Sequence, residues 1–374
     1  MAWRIPVAKP DLGAAEAEAV RAVAASGWIT QGAKVRELEA AFARLCGTGH
    51  AVATATGTAA LHVALAALGV GPGDEVITTP LSCIASANPI LFTGARPVFG
   101  DVDAETYNLE AAGIEKRITS RTKALLPVHL FGHPLDLDPI LELARARGLP
   151  VIEDACQATG ARYKGWSVGG FGTVGCFSLY ANKIITSGEG GMLVTSDGAL
   201  AERMRAIRNF GQRPGEHFLH AFLGGNAKMT DLQAAVGCAQ AGKLEGYIAR
   251  RRENVVALNA ALAGLDRLIE RLPAERPYAR SVYFGYHLLF REARLRERAE
   301  AALHEAGIET RPFFSLIPAQ PPYRDMGYRA DETPVAVDLL ARGLYVSNSP
   351  DLTGDERGLI VDTLRRLGRA EGLA

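Results

Sequence analysis

The sequence lacks the features that would assign it to several large classes of protein. Its 41 basic and 41 acidic residues give a formal net charge of zero, so no electrostatic footprint for nucleic acid or an anionic membrane is visible. No apolar run reaches the roughly 18 residues of a membrane-spanning helix, and the opening MAWRIPVAKPDLG has no hydrophobic signal-peptide core. We therefore predict a soluble, cytoplasmic protein.

Cysteine is also scarce. The five cysteines are an odd number without the close spacing of a zinc or redox site: Cys46, Cys83, Cys156, Cys176 and Cys238. This pattern favours a reducing compartment, in agreement with the cytoplasm.

What the chain does contain is ordinary globular material, 374 residues with 48% hydrophobic and 22% charged. This length accommodates two domains. Runs typical of strands alternate with runs typical of helices up to about residue 245, and a different pattern follows. The predicted division is a large α/β domain over residues 1–245 and a smaller α+β domain over residues 246–374.

The alternation in the first part predicts a mainly parallel sheet with helices on both faces. The predicted strands include 51–55, 75–78, 97–99, 124–128, 150–153, 174–179 and 193–195, and the helices include 14–25, 34–46, 58–68, 83–92 and 139–147. In the second part we expect a strand over 282–290, a helix over 297–306, a strand over 308–313 and two closing helices.

One lysine stands in an unusual setting. Lys183 lies in the stretch FSLYANKIITSGEGGMLVTSD, five residues after Ser178 and between two predicted strands. Glycines at 188, 190 and 191 allow a backbone to approach a ligand closely. An amine desolvated in such a pocket can attack a carbonyl, which predicts a Schiff-base lysine; a solvated surface charge is the alternative.

Two further stretches place polar groups at strand ends. Gly57 and Thr58 connect a short strand to a helix, where free backbone N–H groups form a good seat for a phosphate; an ordinary capped turn is the alternative. Asp154 follows the apolar run 149–152, and Gln157 lies three residues later. Asp154 could instead cap the next helix. Ligands of parallel sheets bind at the carboxyl ends of strands, so we expect these groups and Lys183 to converge on one crevice.

Two histidine pairs, His129/His133 and His217/His220, could suggest a metal site. Neither has carboxylate or cysteine neighbours at a ligand spacing, so we interpret them as structural and predict no metal.

In combination these stretches resemble the DegT/DnrJ/StrS family of nucleotide-sugar aminotransferases, which are fold-type-I enzymes that use pyridoxal 5′-phosphate (PLP). The resemblance covers nearly the whole chain through TGTAALHVAL, VIEDACQATGARYKG, the Lys183 stretch and MTDLQAAVGCAQ, in this order and spacing. It implies an aminotransferase that takes an amino group from an amino acid, usually glutamate, and passes it to a keto-sugar in a ping-pong reaction.

The resemblance also implies roles for individual residues. Lys183 would hold PLP as a Schiff base and move the proton, and Asp154 would pair with the pyridinium nitrogen. Gln157 would lie against the ring near its phenolic oxygen. The phosphate would be held by Gly57, Thr58 and Ser178, and by Asn226 reaching in from the neighbouring subunit of a homodimer.

Several positions depart from the family. Cys83 stands where an aromatic residue usually stacks on the cofactor ring. On the expected substrate side, Thr159 replaces a frequent histidine, Ala227-Lys228 replaces a usual Tyr-Arg, and Pro318 falls where a histidine is common. Three alternatives stay open. A sugar dehydratase on the same scaffold would carry histidine in place of Lys183. An aminotransferase for a cyclitol or related keto-ring, or a non-catalytic regulatory relative, would share the fold.

Overall fold

The computed structural model describes residues 3–213, 215 and 218–373. Its helices are α1 Ala14–Ser26, α2 Ala33–Cys46, α3 Gly57–Ala67, α4 Asn88–Phe92, α5 Ala111–Glu115, α6 Leu137–Arg147, α7 Gly198–Ile207, α8 Asp231–Ala241, α9 Leu244–Leu262, α10 Ala293–Glu305, α11 Pro321–Asp325, α12 Pro334–Arg342 and α13 Gly354–Ala370. Short 3₁₀ turns span Ile84–Ser86, Leu130–Gly132, Ile317–Ala319 and Ala330–Glu332.

The strands of the described residues are β1 His50–Thr54, β2 Glu75–Thr78, β3 Leu81–Ser82, β4 Arg96–Phe99, β5 Thr122–Leu126, β6 Ile152–Asp154, β7 Arg162–Tyr163, β8 Trp166–Ser167, β9 Val174–Ser178, β10 Gly191–Thr195, β11 Ile269–Arg271, β12 Ala279–Arg280, β13 Tyr286–Phe290, β14 Arg311–Pro312, β15 Ser315–Leu316 and β16 Gly343–Val346. None of the described helices combines the length and apolarity needed to cross a membrane.

The central sheet consists of two groups of strands, β4-β2-β5 and β6-β9-β10-β1. Parallel bridges Leu125–Val151 and Val128–Asp154 connect the groups between β5 and β6. Strand β10 runs antiparallel to both β1 and β9, whereas β6 and β9 pair in parallel and β2 is parallel to β4 and β5. The predicted fold class, a mainly parallel sheet flanked by helices, is confirmed.

The two faces of this sheet bury different layers. In β1, Ala51 and Ala53 belong to the core that includes Phe42 of α2, whereas Val52 belongs to the core on the opposite face, which includes Leu61 of α3. Successive side chains of a strand point to opposite faces, so this alternation places helices on both sides of the sheet. The strands are consequently buried on both faces, as is usual for parallel sheets.

The second part of the chain forms its own antiparallel sheet of order β11-β13-β16-β14. A separate hydrophobic core lies between this sheet and α9, α10 and α13, with Leu258, Leu303 and Leu364 fully buried. Helix α9 begins against the first core through Leu244 and ends in the second. The division at residues 245 and 246 falls within this helix and stays a prediction.

An N-terminal arm packs against the second part of the chain. Ile5 is only 1% exposed, belongs to the second core and forms a parallel bridge with Ile308. The Glu309 N–H donates to the Ile5 carbonyl oxygen at 2.9 Å, and the Glu309 carboxylate accepts from the Val7 N–H at 2.8 Å. The arm therefore belongs structurally to elements about 300 residues away in sequence.

The predicted helix over residues 83–92 is wrong. The segment contains a 3₁₀ turn at Ile84–Ser86 and a separate helix that starts at Asn88. Pro89 explains the interruption, because proline lacks an N–H and fits only the first turn of a helix. The preceding Leu81–Ser82 strand, β3, pairs with β15 from the second part of the chain.

In the second part of the chain, the observed elements differ from the predicted ones mainly in length. Strand β13 begins at Tyr286 rather than at residue 282, because Tyr283 has a positive φ of 48° that breaks the extended run. Of the predicted strand 308–313, only Arg311–Pro312 belongs to a strand, while Ile308 forms the isolated bridge to Ile5. Strand β16, which lies between α12 and α13, is not among the predicted elements, since a short apolar run can also continue a helix.

The Glu153 side chain connects the end of β6 to the 169–172 segment and to His129. Its fully buried carboxylate accepts from the N–H groups of Gly169, Phe171 and Gly172 at 2.6–2.8 Å. His129 Nε2 lies 3.2 Å from Glu153 Oε2, while His129 Nδ1 accepts from a backbone N–H, so the Nε2 proton donates to Glu153. One carboxylate thus satisfies four donors, two of them on the partly buried residues Phe171 and Gly172.

We expect Glu153→Ala to lower the free energy of unfolding by roughly 3–5 kcal/mol, because it leaves these donors without partners. Urea unfolding of the cofactor-loaded protein, followed by far-UV circular dichroism, measures this loss. Glu142→Ala, which removes an exposed carboxylate of α6, serves as the matched control and should stay within about 0.5 kcal/mol of the wild type. Equal stability of the two variants would contradict the anchoring role.

Candidate active site

The carboxyl ends of β1, β6 and β9 meet at one edge of the central sheet. Asp154 ends β6 and Ser178 ends β9, while the turn after β1 leads into α3 at Gly57. The antiparallel strand β10 begins at this same edge, with Gly191 opposite both Thr54 and Ser178. The connection between β9 and β10 carries Lys183.

A cavity of about 280 Å³ opens at this edge. Seven of the eight predicted site residues line it: Gly57, Thr58, Cys83, Asp154, Gln157, Ser178 and Lys183. The other lining residues are Thr56, Leu61, Ala85, Ser86, Cys156, Tyr180 and Glu189. The expected convergence of strand ends on one crevice is therefore observed for these seven.

Asp154 is the most firmly held member of the set. It is 2% exposed, and its Oδ2 accepts from the Ser86 hydroxyl at 2.7 Å while its Oδ1 accepts from the Cys156 N–H at 3.1 Å. Its own backbone N–H donates to the Pro127 carbonyl oxygen at 2.9 Å. These hydrogen bonds fix the direction in which the Asp154 carboxyl group faces the cavity.

Gln157 contributes a donor. Its Oε1 accepts from the Phe131 N–H at 2.9 Å, which fixes the orientation of the amide. Its Nε2 has no acceptor among the described residues, and the side chain is 3% exposed. Phe131 has a positive φ of 53°, a conformation that is strained for a residue with a side chain. Gln157 is therefore positioned by an unusual backbone, with its NH₂ group available to a ligand.

Lys183 reaches the same cavity from the loop after β9. Its Nζ lies 4.9 Å from the centroid of the Phe284 ring, and no carboxylate of the described residues is within ion-pair distance of it. Thr186 and Ser187 pin the loop by donating to the Leu179 carbonyl oxygen at 3.0 and 2.9 Å. The lysine is a partly buried amine that faces an aromatic ring instead of a counter-ion.

The N-terminus of α3 provides a binding site for an anion. Thr56 caps the helix by accepting from the Ala59 N–H at 3.0 Å. The N–H groups of Gly57 and Thr58 have no protein acceptor among the described residues. A Cβ at Gly57 would lie 2.7 Å from the Ser178 Cβ, and one at Gly191 would lie 2.2 Å from the Thr56 carbonyl oxygen. Both glycines are required for this close packing. The free N–H groups and the Ser178 hydroxyl suit a phosphate.

Asn226 does not line the cavity. Its side chain is exposed, and its backbone pairs with Asn209 in an isolated antiparallel bridge. The next residue connects this segment to the site, because the Ala55 N–H donates to the Ala227 carbonyl oxygen at 2.8 Å. Asn226 therefore lies near the turn after β1 but outside the cavity of its own chain.

Two cysteines line the cavity: Cys83, which is one of the predicted site residues, and Cys156. Cys83 precedes the 3₁₀ turn Ile84–Ser86 and is exposed. Burial raises the pKa of the Cys156 thiol well above its usual range, so this thiol stays protonated and is a poor nucleophile. Among the described residues that line the cavity, Lys183 is the only amine.

The residues in the cavity fit PLP. The group needs an amine for its aldehyde, a carboxylate for its ring nitrogen and donors for its phosphate. Lys183, Asp154 and the start of α3 supply one of each. The Gln157 NH₂ group provides a further donor.

The histidines lie elsewhere. His133 is buried, and desolvation lowers its pKa to about 4. The His220 Nδ1 lies 2.7 Å from the Phe210 carbonyl oxygen, and His217 lies outside the described residues. Within the described part of the chain, no group of three histidine, cysteine, aspartate or glutamate side chains has the arrangement of a metal site.

Ser86 is the functional candidate that the sequence does not reveal. It lies in a segment predicted as a continuous helix, and a serine there has no distinguishing pattern. Only the folded 3₁₀ turn places its hydroxyl against Asp154.

Comparison with known proteins places this cavity in a family. Residues 10–365 match the DegT/DnrJ/EryC1/StrS aminotransferase family. The GDP-perosamine synthase of Caulobacter vibrioides is 41% identical over 353 residues, which cover 94% of each chain. The UDP-N-acetyl-3-dehydro-alpha-D-glucosamine 3-aminotransferase of Acidithiobacillus ferrooxidans is 39% identical over 336 residues, 88% of each chain.

A solved structure gives the same result for the fold. The crystal structure of DesV from S. venezuelae in complex with a ketimine intermediate has a TM-score of 0.89 and 34% identity, and the match covers 94% of this chain and 93% of that one. The resemblance found in the sequence is thereby confirmed. The chain belongs to the DegT/DnrJ/EryC1/StrS aminotransferase family and is a PLP-dependent aminotransferase.

Proposed function

We propose that the enzyme transfers an amino group from L-glutamate to a nucleotide-linked keto-deoxysugar in a ping-pong reaction. The names of two relatives, a GDP-perosamine synthase and a UDP-linked 3-aminotransferase, support a nucleotide sugar as acceptor. The main support for the proposal is that Lys183, Asp154 and Gln157 line one cavity, beside the anion-binding N-terminus of α3.

PLP, when bound, withdraws electrons from the carbon that exchanges its amino group. We propose that Lys183 holds the cofactor covalently and, when released, moves a proton between the substrate Cα and the cofactor C4′. Its position supports this role, because Lys183 lines the same cavity as Asp154 and Gln157 and has no carboxylate of the described residues within ion-pair distance.

Asp154 and Gln157 have complementary proposed roles at the ring. Asp154 holds the proton on the pyridine nitrogen, which keeps the ring a strong electron sink. The buried hydrogen bonds to both of its oxygens support a carboxyl group held in one orientation toward the ring. Gln157 donates its NH₂ group to the phenolic oxygen, and Cys83 occupies the face of the ring where relatives usually place an aromatic side chain.

The phosphate is held, in this proposal, by Gly57, Thr58 and Ser178 of one subunit and by Asn226 of a second copy of the chain. The exposed position of Asn226 outside its own cavity supports a contribution across a dimer interface. The homodimer, the glutamate donor and the cytoplasmic location stay predictions.

The alternatives are less well supported. A dehydratase of this scaffold carries histidine where this chain has Lys183. A non-catalytic relative has no need of an amine and a fixed carboxylate in the same cavity. An aminotransferase for a cyclitol ketone shares every feature of the site, and it differs only in the acceptor.

Substrate turnover tests the proposal directly. We expect the PLP-loaded enzyme to form 2-oxoglutarate from L-glutamate and to aminate at least one member of a panel of GDP-, UDP- and dTDP-linked 3- and 4-keto-deoxysugars. Liquid chromatography with mass spectrometry identifies the aminated sugar. Amination of cyclitol ketones alone would favour the alternative acceptor, and the absence of any amino transfer would refute the proposed activity.

Lys183→Ala should abolish amino transfer without unfolding the chain, because no other amine lines the cavity in the described part of the structure. Mass spectrometry after borohydride reduction should find PLP attached to the wild type and not to this variant. Lys116→Ala removes an exposed lysine as a control and should keep both properties. Turnover by Lys183→Ala, or reduction onto a different lysine, would exclude the role.

Asn226→Ala should raise the Kd for PLP on the order of 10-fold, since a charge-assisted hydrogen bond is lost. Asn226→Asp should raise it further, because a carboxylate repels the phosphate. Absorbance titration of the apoenzyme measures both values, and sedimentation should give a dimer mass for the wild type. A monomeric enzyme, or unchanged Kd values, would contradict the contribution from a second subunit.

A further inference from the structure

Two buried serines lie beside Asp154, and one of them, Ser86, also lines the cavity. The Ser86 hydroxyl donates to Asp154 Oδ2 at 2.7 Å, and the hydroxyl oxygens of Ser82 and Ser86 are 3.0 Å apart. Ser82 has no exposed surface, and Ser86 and Asp154 are each 2% exposed. The three side chains form a continuous, buried hydrogen-bonded row.

The direction of this row follows from the chemistry of its members. An ionised carboxylate can only accept, so the single hydroxyl proton of Ser86 points at Asp154. Ser86 must then accept from Ser82, whose proton points at Ser86. Both hydroxyl dipoles therefore point their positive ends toward Asp154, and in a medium of low dielectric each bond strengthens the next.

The backbone around the serines is held from the second part of the chain. Strand β3, which contains Ser82, pairs with β15, so that Ser82 lies opposite Ser315. The Ile317 N–H donates to the Pro80 carbonyl oxygen at 2.8 Å, and the Tyr323 hydroxyl donates to Asn88 Oδ1 at 2.8 Å. These contacts clamp the segment on both sides of Ser86.

We propose that Ser86, supported by Ser82, is a positioning residue that keeps Asp154 ionised and fixes the direction of its carboxylate. The inference rests on the proposed function, in which Asp154 holds the proton of the pyridine nitrogen. Ser86 acts through Asp154: by stabilising the carboxylate, it keeps that proton on the ring nitrogen and not on the acid.

Removal of the Ser86 hydroxyl has a specific consequence. Asp154 Oδ2 loses a short, buried donor, and the proton shared between the ring nitrogen and Asp154 moves toward the acid. The ring then withdraws electrons less strongly, which slows the chemical step more than it weakens substrate binding. Ser82 lies one bond further away, so its removal should have a smaller effect of the same kind.

The test compares Ser86→Ala, Ser82→Ala and Ser86→Thr, which retains the hydroxyl. Thr363→Val is the matched control, because it removes a buried hydroxyl of α13 that bonds only within its own helix. Three properties are measured on the PLP-loaded enzymes: kcat and KM for both half-reactions, the absorbance spectrum of the bound cofactor between pH 6 and about 9, and the urea midpoint.

We expect Ser86→Ala to lower kcat on the order of 10- to 100-fold, the range for a hydrogen bond to a charged group, with a smaller change in KM. Its bound-cofactor spectrum should change with pH in a range where the wild-type spectrum is constant. Ser82→Ala should show a smaller decrease, whereas Ser86→Thr and Thr363→Val should resemble the wild type in kcat and spectrum. Ser86→Cys, which keeps the volume but is a weak donor, replaces the alanine variant if that variant does not fold.

Two results would overturn the inference. Ser86→Ala could match the wild type in kcat and spectrum, or it could lower the urea midpoint and kcat with an unchanged spectrum, which would make Ser86 purely structural. Failure of the proposed function is distinguishable from both, because the wild type would then bind no PLP or Asp154→Asn would keep wild-type kcat.

Discussion

The buried carboxylate of Asp154 is the constraint around which this structure is organised. A negative charge at the end of a strand is stable inside a protein only if hydrogen bonds replace the lost water. Here the donors come from the 3₁₀ turn after β3 and from the backbone that follows β6. The bulge-free pairing of β6 with β9 then fixes the distance between this charge and the loop that carries Lys183. A protonated ring nitrogen bound here would give the Asp154 carboxyl group a hydrogen-bond donor.

Glu153, the neighbour of Asp154, faces the opposite side of the strand and has a different purpose. Its carboxylate binds three backbone N–H groups of the 169–172 segment and the His129 ring. Of these two adjacent acids, Glu153 therefore stabilises the scaffold and Asp154 faces the ligand cavity. The alternation of side chains along a strand makes this division possible, since consecutive residues cannot point into the same cavity.

The sequence predicted the parts of the site that depend on local chemistry. Lys183, Asp154, Gln157 and Ser178 lie next to strand ends that hydrophobic runs identify, and a parallel sheet brings such ends together. Their positions in one cavity agree with this expectation, while their roles stay predictions. The sheet class was predictable for the same reason. Ser86, in contrast, acts through a turn that exists only because Pro89 ends one element and β15 pairs with β3, and long-range pairing leaves no local pattern. Only the family resemblance implies a role for Asn226, and the neighbouring residues in the sequence do not predict its exposed position.

The N-terminal arm has a consequence for how this chain folds. Its bonds to residues 307–309 span about 300 positions, so the arm cannot take its place until those residues have left the ribosome. Contacts of such sequence separation are slow to form, because a long loop must close first. The α/β sheet can assemble earlier, with Ile5 still exposed to solvent. Docking of the arm is then a later step, in which Ile5 joins the second hydrophobic core.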